Sequence, residues 1–475
     1  MVENLMDKIV SLCKRRGFIF QGSEIYGGLA NTWDYGPYGV ELKNNLKKAW
    51  WKTNVQERDN ILGMDCAILM HPRVWEASGH VHNFFDLKSD CKSCKKRFKS
   101  ADLKDNTKCP ECGGALTEAR PFNLMFKTHQ GPVEESGNEI HLRPETAQGM
   151  FVNFQNVLDS RHPKLPFGLA QIGKSFRNEI TPGNFTFRTR EFEQMEIEYF
   201  VNPQDADQAL QEWIQNRFNW YLELGIKSEN LRKRQHGKDE LAHYAHACMD
   251  IEYRFPFSAG GGSAENYGGG WAELEGVANR SDFDLKQHAQ YSGKDLQYFD
   301  DQKKEKFYPY IIEPSGGVDR AVLAFLIDAY HEEKVNPSIK LPSTLLGMVS
   351  LSNHRIDGEQ SRTIKEDTRV VLKLNKDLAP TKVAILPLLR NRPEIVELAK
   401  KISHDLKKSF TAAYDDTGSI GKLYRRQDEV GTLYCVTVDV QTLEDKQVTV
   451  RDRDSMLQER ISVDKLKEYL TEKLK

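Results

Sequence analysis

Two stretches carry residue types suited to grasping anions and a cation together. Read with the two-residue period of a strand, Gln171, Gly173, Ser175, Arg177 and Glu179 share one face. After a Thr-Pro-Gly-Asn turn, Arg188, Arg190, Phe192, Gln194, Glu196 and Glu198 share a face of the returning strand. Such a face is a poor core. Arginines hold phosphates, carboxylates hold an amine, and an aromatic ring stacks on a base. The plainer alternative is a solvated sheet face laced by cross-strand ion pairs. Overlapping the first stretch, Gly168 to Ser175 spells G-x-x-x-x-G-K-S, the letters of a phosphate-binding loop. That loop needs a hydrophobic strand before it and a helix after it. Here Arg161-His-Pro-Lys-Leu-Pro166 precedes and Thr181-Pro-Gly-Asn184 follows, which argues against it.

A second chemistry sits in the cysteines. Of eight, four are isolated and four form Cys91-x-x-Cys94 and Cys109-x-x-Cys112, followed by Gly113-Gly114. This spacing is close to a zinc ribbon, and the expectation is a structural zinc whose closed four-thiolate shell leaves no position for catalysis. Lys92, Lys95, Lys96, Arg97, Lys99, Lys104 and Lys108 make the same stretch basic. An exposed basic loop is commonly only solvated, and contact with nucleic acid is the sharper alternative. His71, His80 and His82 are read as ordinary hydrogen-bonding histidines. Gly260 to Gly262 and Gly268 to Gly270 lack a dinucleotide-loop setting and read as hinges.

The elements that must position these groups belong to a long chain. Its 475 residues fit about three domains, and 67 basic against 69 acidic residues leave a net charge of -2. A nucleic-acid partner would therefore be held by local patches. No apolar run reaches membrane-spanning length, and the amino end mixes acids and bases unlike a secretory signal, so a cytoplasmic protein is expected. Leu5, Ile9 and Leu12 are spaced as a helix face, as are Val40, Leu46 and Trp50 after the YGPYG turn. Pro203 to Leu241 is helical in pattern, with Leu210, Trp213, Ile214 and Phe218 on one face. The expected organisation is a domain over 1–365, carrying a zinc-ribbon-like insert at 88–118 and a mostly helical insert at 203–258. A small α/β domain over 378–475 follows.

Phe176-Arg177-Asn178-Glu179 with Phe187-Arg188-Thr189-Arg190-Glu191-Phe192 resembles motif 2 of class II aminoacyl-tRNA synthetases. Glu313-Pro314-Ser315-Gly316-Gly317-Val318-Asp319-Arg320 before AVLAFL resembles their motif 3. Leu142-Arg143-Pro144-Glu145-Thr146-Ala147-Gln148-Gly149, Phe192-Glu193-Gln194-Met195-Glu196, Trp271-Ala272-Glu273-Leu274-Glu275-Gly276 and Ala379-Pro380-Thr381-Lys382-Val383 are similar to the homodimeric glycyl-tRNA synthetases. The likeness runs from about Phe18 to the carboxyl end.

The resemblance implies an α+β fold: an antiparallel-sheet catalytic core with inserts, and a carboxyl-terminal α/β anticodon-binding domain. It implies glycine, ATP with magnesium and tRNA-Gly as substrates and cofactor, and a homodimer. Arg177 would hold the α-phosphate; Arg320 would lie on the γ-phosphate and over the adenine, with Phe192 on the base's other side. Glu179 would read the adenine amino group, and Glu273 would ligate magnesium, with Glu313 a second candidate. Asn178, Phe187, Arg188, Thr189, Arg190, Glu191, Leu274, Gly317, Val318 and Asp319 complete the implied ATP set. Glu145 and Glu196 resemble the ammonium acceptors and Ser315 lines the closed end. Arg97, Phe192, Glu193, Gln194, Met195, Glu313, Pro314, Gly316 and Gly317 make up the rest of the implied glycine set. In the last domain, Asp415, Asp416, Ser419, Lys422, Arg425 and Arg426 are candidates for anticodon contact. The rivals are a synthetase for another small amino acid, a catalytically retired tRNA-binding subunit, and a phosphate-loop hydrolase. Amino-acid-dependent exchange decides the first, the intact Arg177, Glu179, Glu273 and Arg320 oppose the second, and glycine-independent ATP hydrolysis would mark the third.

Overall fold

The structure, a computed structural model, describes residues 4–132, 138–180, 183–237, 240–242, 245–257, 270–334 and 368–475. Two compact units result, Met1–Asp328 and Ala329–Lys475, where length alone suggests three, because both expected inserts pack within the first. The glycine-rich stretch read as hinges, apart from Gly270, and most of the polar stretch from Ile339 lie outside the described residues.

The first unit begins with α1 (Leu5–Arg16), whose amino end is capped by the Asn4 Oδ1 and whose carboxyl end stops at Gly17 with φ 76°. Ile9 and Leu12 are buried, while Leu5 is exposed. Proline opens α2 (Pro37–Trp51). Its buried face is Gly39, Leu42, Leu46 and Trp50 rather than the expected one with Val40, which is exposed. Gly39 sets that rotation: a Cβ there would stand 1.8 Å from the Phe18 carbonyl oxygen, so only glycine lets the helix approach.

The core is a seven-stranded sheet of β1 (Ile61–Gly63), β2 (Phe167–Phe176), β3 (Glu191–Val201), β4 (Leu231–Gln235), β5 (Ala247–Arg254), β6 (Trp271–Ser281) and β7 (Tyr310–Gly317). Their order is β4-β5-β6-β7-β3-β2-β1, antiparallel throughout except for β1 with β2. Gly168 to Ser175 lie within β2, so the extended backbone forms no phosphate loop. The segment 203–258 corrects the expectation of a mostly helical insert. Only its first part is helix, α3 (Ala206–Glu223), and β4 and β5 extend the central sheet. Asp250 to Tyr253 are all buried, a pattern that hides the strand from a two-residue period.

One sheet face is covered by α3. Glu275, buried on β6, receives Arg217 Nε at 2.6 Å, Arg217 Nη2 at 3.1 Å and the Tyr221 hydroxyl at 2.8 Å. After β7 comes the apolar α4 (Val318–Ala329), buried along most of its length.

In the second unit, β8 (Tyr330–Lys334) pairs with β9 (Thr368–Leu372). A mixed five-stranded sheet joins β10 (Val383–Pro387), β11 (Ala412–Tyr414), β12 (Tyr434–Val438), β13 (Gln447–Asp452) and β14 (Gln458–Ser462) in the order β11-β10-β12-β13-β14. Its core draws Val383, Ile385, Val436, Val448 and Val450 together with Ile395, Ile402 and Leu406 of α5 (Pro393–Lys407).

Candidate active site

Four strands floor one cleft. Across β2 and β3 the register sets Phe192 opposite Ser175, Gln194 opposite Gly173 and Glu196 opposite Gln171. On the other side of β3, Gln194 meets Gly317 and Glu196 meets Ser315 of β7, which in turn sets Ser315 opposite Gly276 and Glu313 opposite Ala278 of β6. Alternation then brings these groups to one side. A bulge at Ile251/Glu252 shifts the β5–β6 register and turns Glu273 to that side as well. A Cβ at Gly276 would lie 4.0 Å from Glu273 Oε1.

The cleft measures about 480 Å³. Of the expected residues, Glu145, Arg177, Glu179, Phe187, Arg188, Thr189, Phe192, Gln194, Glu196, Glu273, Glu313, Ser315, Gly316, Gly317, Asp319 and Arg320 line it. Arg177 and Arg320 thus face one cavity. Arg177 is held by its Nε on the Pro144 carbonyl at 3.0 Å, with the Phe192 ring centroid 5.4 Å from its guanidinium carbon. Arg320 lies 4.4 Å over Phe187 and donates to the Glu273 carbonyl at 2.7 Å, with a Glu273 carboxylate oxygen 3.4 Å away. Asp319, beside it, accepts from the Glu193 amide at 2.7 Å, the Tyr35 hydroxyl at 2.7 Å and Lys43 at 2.8 Å.

The remaining expected residues lie elsewhere. Met195, Leu274, Pro314 and Val318 are buried in the core, as alternation along the strands requires of the first and third. Glu193 pairs with Lys43 and Lys47, and Glu191 with Lys174. The Asn178 amide bonds the Leu124 carbonyl, and Arg190 donates to the Ala30 and Glu179 carbonyls. Arg97 lies on the insert strand Arg97–Lys99, beside Asp90, and does not line the cleft. Lys99 and Asp86, paired at 2.8 Å, reach the cleft instead. That hairpin sets Lys99 opposite Lys88 and Arg97 further out, opposite Asp90.

The closed end of the cleft is crowded with acid. Glu196 accepts from the Ser315 hydroxyl at 2.7 Å and from Thr146. Glu145 takes Gln148 at 2.9 Å and has His80 Nε2 at 3.3 Å. Glu313 pairs with Arg280 at 2.9 Å, and the same guanidinium is forked onto Asp284 at 2.8 Å. Glu198 and Gln171 are fully buried with no partner on any side-chain polar atom. Burial, then the Glu145 charge, raises Glu196 above the usual carboxylate range. Burial and Glu313 push Glu198 well above it, and burial outweighs Arg280 at Glu313. Burial opposes ionisation at Glu145 too, but His80, Arg280 and Gln148 overcome it and hold this acid well below its ordinary value. An arriving ammonium meets one firmly ionised carboxylate, Glu145, and beside it Glu196, which is bonded only by hydroxyls.

Sequence comparison then decides the family. The chain is 52% identical over 496 residues, 98% of each chain, to the glycine--tRNA ligase of Acetivibrio thermocellus. It is 50% identical to that of Geobacillus kaustophilus, over 99% of each chain. With that of Thermobifida fusca it shares 49%, over 99% of this chain and 98% of the relative. The chain belongs to the glycine–tRNA ligase family. Residues 382–473 also match the anticodon binding domain family.

In this glycine–tRNA ligase family member, pattern reading missed Arg280, Gln148 and Asp284 at the acidic end. Arg280 lies near the end of β6 in the polar stretch Asn279-Arg280-Ser281-Asp282, and nothing in the residue pattern marks it as buried. His80, expected to be an ordinary hydrogen-bonding residue, bonds the Ser78 hydroxyl at 2.8 Å and stands beside Glu145. His71 accepts from the Arg73 amide at 3.2 Å.

The insert's cysteines converge. Cys91 and Cys112 sulfurs are 3.5 Å apart, Cys94 and Cys109 sulfurs 3.7 Å, and all four lie within 4.8 Å of one another without a disulfide. Sulfurs at about 2.3 Å from a tetrahedral zinc would stand roughly 3.8 Å apart, so the four thiols fit that ion. The Cys94 amide donates to Cys91 Sγ at 3.4 Å and draws this thiol down to about 6. In the second unit, Asp415 accepts from the Thr417 amide at 3.0 Å and from Arg426 at 2.5 Å, ordering the loop before α6 (Ile420–Val430).

Proposed function

We propose that this chain activates glycine with ATP to glycyl adenylate and transfers glycine to the 3′ end of tRNA-Gly, releasing AMP and pyrophosphate. One observation carries the reading: Arg177 and Arg320 share a cleft whose closed end presents Glu145, Glu196 and Ser315. Glycine's ammonium enters the acidic end and its carboxylate attacks the α-phosphate in line. Arg177 neutralises charge on that phosphate, and Arg320 leaves Glu273 for the γ-phosphate as pyrophosphate departs. The terminal ribose hydroxyl of tRNA then takes glycine from the adenylate. No protein nucleophile is needed, because positioning and electrostatic stabilisation supply the rate.

Selectivity follows from size. Ser315 and the carboxylates close the pocket behind glycine's hydrogens, so a methyl group meets overpacking rather than a roomy apolar wall. Magnesium, when bound with ATP, supplies further phosphate neutralisation. Glu273, half-exposed in the cleft, suits that role, whereas Glu313 is taken by Arg280. We assign the class II architecture, a homodimer, a structural zinc at Cys91, Cys94, Cys109 and Cys112, and a cytoplasmic site of action. No helix among the described residues is long and apolar enough to cross a membrane. Residues 1–365 act as the catalytic part and 378–475 as the anticodon-binding part, where Asp415, Asp416, Ser419, Lys422, Arg425 and Arg426 are the proposed contacts.

ATP–pyrophosphate exchange measured in parallel with glycine, alanine and serine tests the reading. Glycine alone should support exchange; equal rates with alanine, or hydrolysis without any amino acid, would overturn it.

A further inference from the structure

Across β6 from the acidic end, the cleft wall carries a second group of donors that glycine activation does not use. His236, just after β4, bonds the Asp250 Oδ2 through Nε2 at 2.7 Å, and its amide bonds the Cys248 carbonyl at 3.0 Å. Cys248 and Asp250 are two residues apart on β5 and therefore project to the same side. All three side chains line the cleft. One nitrogen, one sulfur and one oxygen from the trio lie within 4.8 Å of one another. Arg234 anchors the outer side: it reaches Asp250 at 3.1 Å while bonding Glu252 and Glu240. Cys248 is a free thiol.

We propose that His236, Cys248 and Asp250 form a transition-metal site on the cleft wall, separate from the four-cysteine cluster, that takes a borderline dication such as Zn2+ or Co2+. The donor set selects the metal class: imidazole and thiolate suit zinc and cobalt, whereas magnesium and calcium demand all-oxygen shells. On binding, the imidazole shifts its proton to Nδ1, freeing Nε2 for the metal in place of the hydrogen bond to Asp250. The thiol releases its proton to solvent. Because the thiolate and not the thiol is the ligand, binding releases a proton and weakens as pH falls. Three protein ligands leave a position open toward the cleft. The site stands independently of the glycine reading.

The test uses the full-length metal-free protein titrated with Co2+, followed by its thiolate charge-transfer and visible bands. Cys248→Ser and His236→Gln should each bind one equivalent fewer than wild type, whether or not the four-cysteine cluster also loads. Equal stoichiometry in all three, with unchanged circular dichroism, would overturn the site. A measurement without substitution accompanies it: Zn2+ should slow alkylation of Cys248, read by peptide mass spectrometry. An alkylation rate indifferent to zinc would count equally against it.

Discussion

Glu196→Gln separates function from stability in opposite directions. The wild-type carboxylate is fully buried, and its two oxygens accept from the Ser315 and Thr146 hydroxyls. A glutamine has the same shape. Its oxygen keeps one hydroxyl donor, and the other hydroxyl can rotate to accept from the amide. What is lost is the charge facing glycine's ammonium. A hydrogen bond to a charged group contributes about 1.5–3 kcal/mol, so kcat/KM for glycine should fall roughly 10- to 150-fold. The fold should gain, because burial and Glu145 raise the Glu196 pKa, so its ionised form is a cost to the unliganded protein. The sign sets the pH window. A group whose folded value is raised stabilises below its unfolded value, near 4.3, and that contribution is lost as pH rises through the folded value. Wild type and variant should therefore melt alike in acid, and the variant should melt higher at neutral pH. Steady-state exchange gives the first number and calorimetry at two pH values the second. Unchanged glycine kinetics, or a variant that melts lower at neutral pH, would refute the assignment of this carboxylate as a strained ammonium acceptor.

Other expectations are more direct. Arg177→Ala should nearly abolish glycine-dependent pyrophosphate exchange while leaving the circular dichroism spectrum intact; exchange at the wild-type rate would contradict its role. Arg217→Met strands Glu275 beneath the sheet and should cost about 3–5 kcal/mol in urea unfolding, with Arg217→Met/Glu275→Leu recovering much of that loss. Protein purified without chelator should contain zinc by elemental analysis, and Cys91→Ser should lose it along with protease resistance of the insert.

Much of the cleft was legible in the chain. Strand alternation places Gln171, Gly173 and Ser175 beside Phe192, Gln194 and Glu196, because a side-chain period of two leaves no freedom once register is set. The two Cys-x-x-Cys pairs likewise predict their own convergence, since ligand spacing is local. Larger assignments came from resemblance, which named Arg177 and Arg320 as partners far apart in sequence. Tertiary structure decided the rest. The bulge at Ile251/Glu252 turns Glu273 into the cleft, and no residue pattern marks it. Strands β4 and β5 join the central sheet through the pairing of β5 with β6, which the residue pattern within either strand does not specify. Lys99 rather than Arg97 reaches the cleft through the reach of a hairpin. Above all, which carboxylates gain a partner depends on where Arg280 and His80 end up, and electrostatics is a property of distances that a linear chain does not contain.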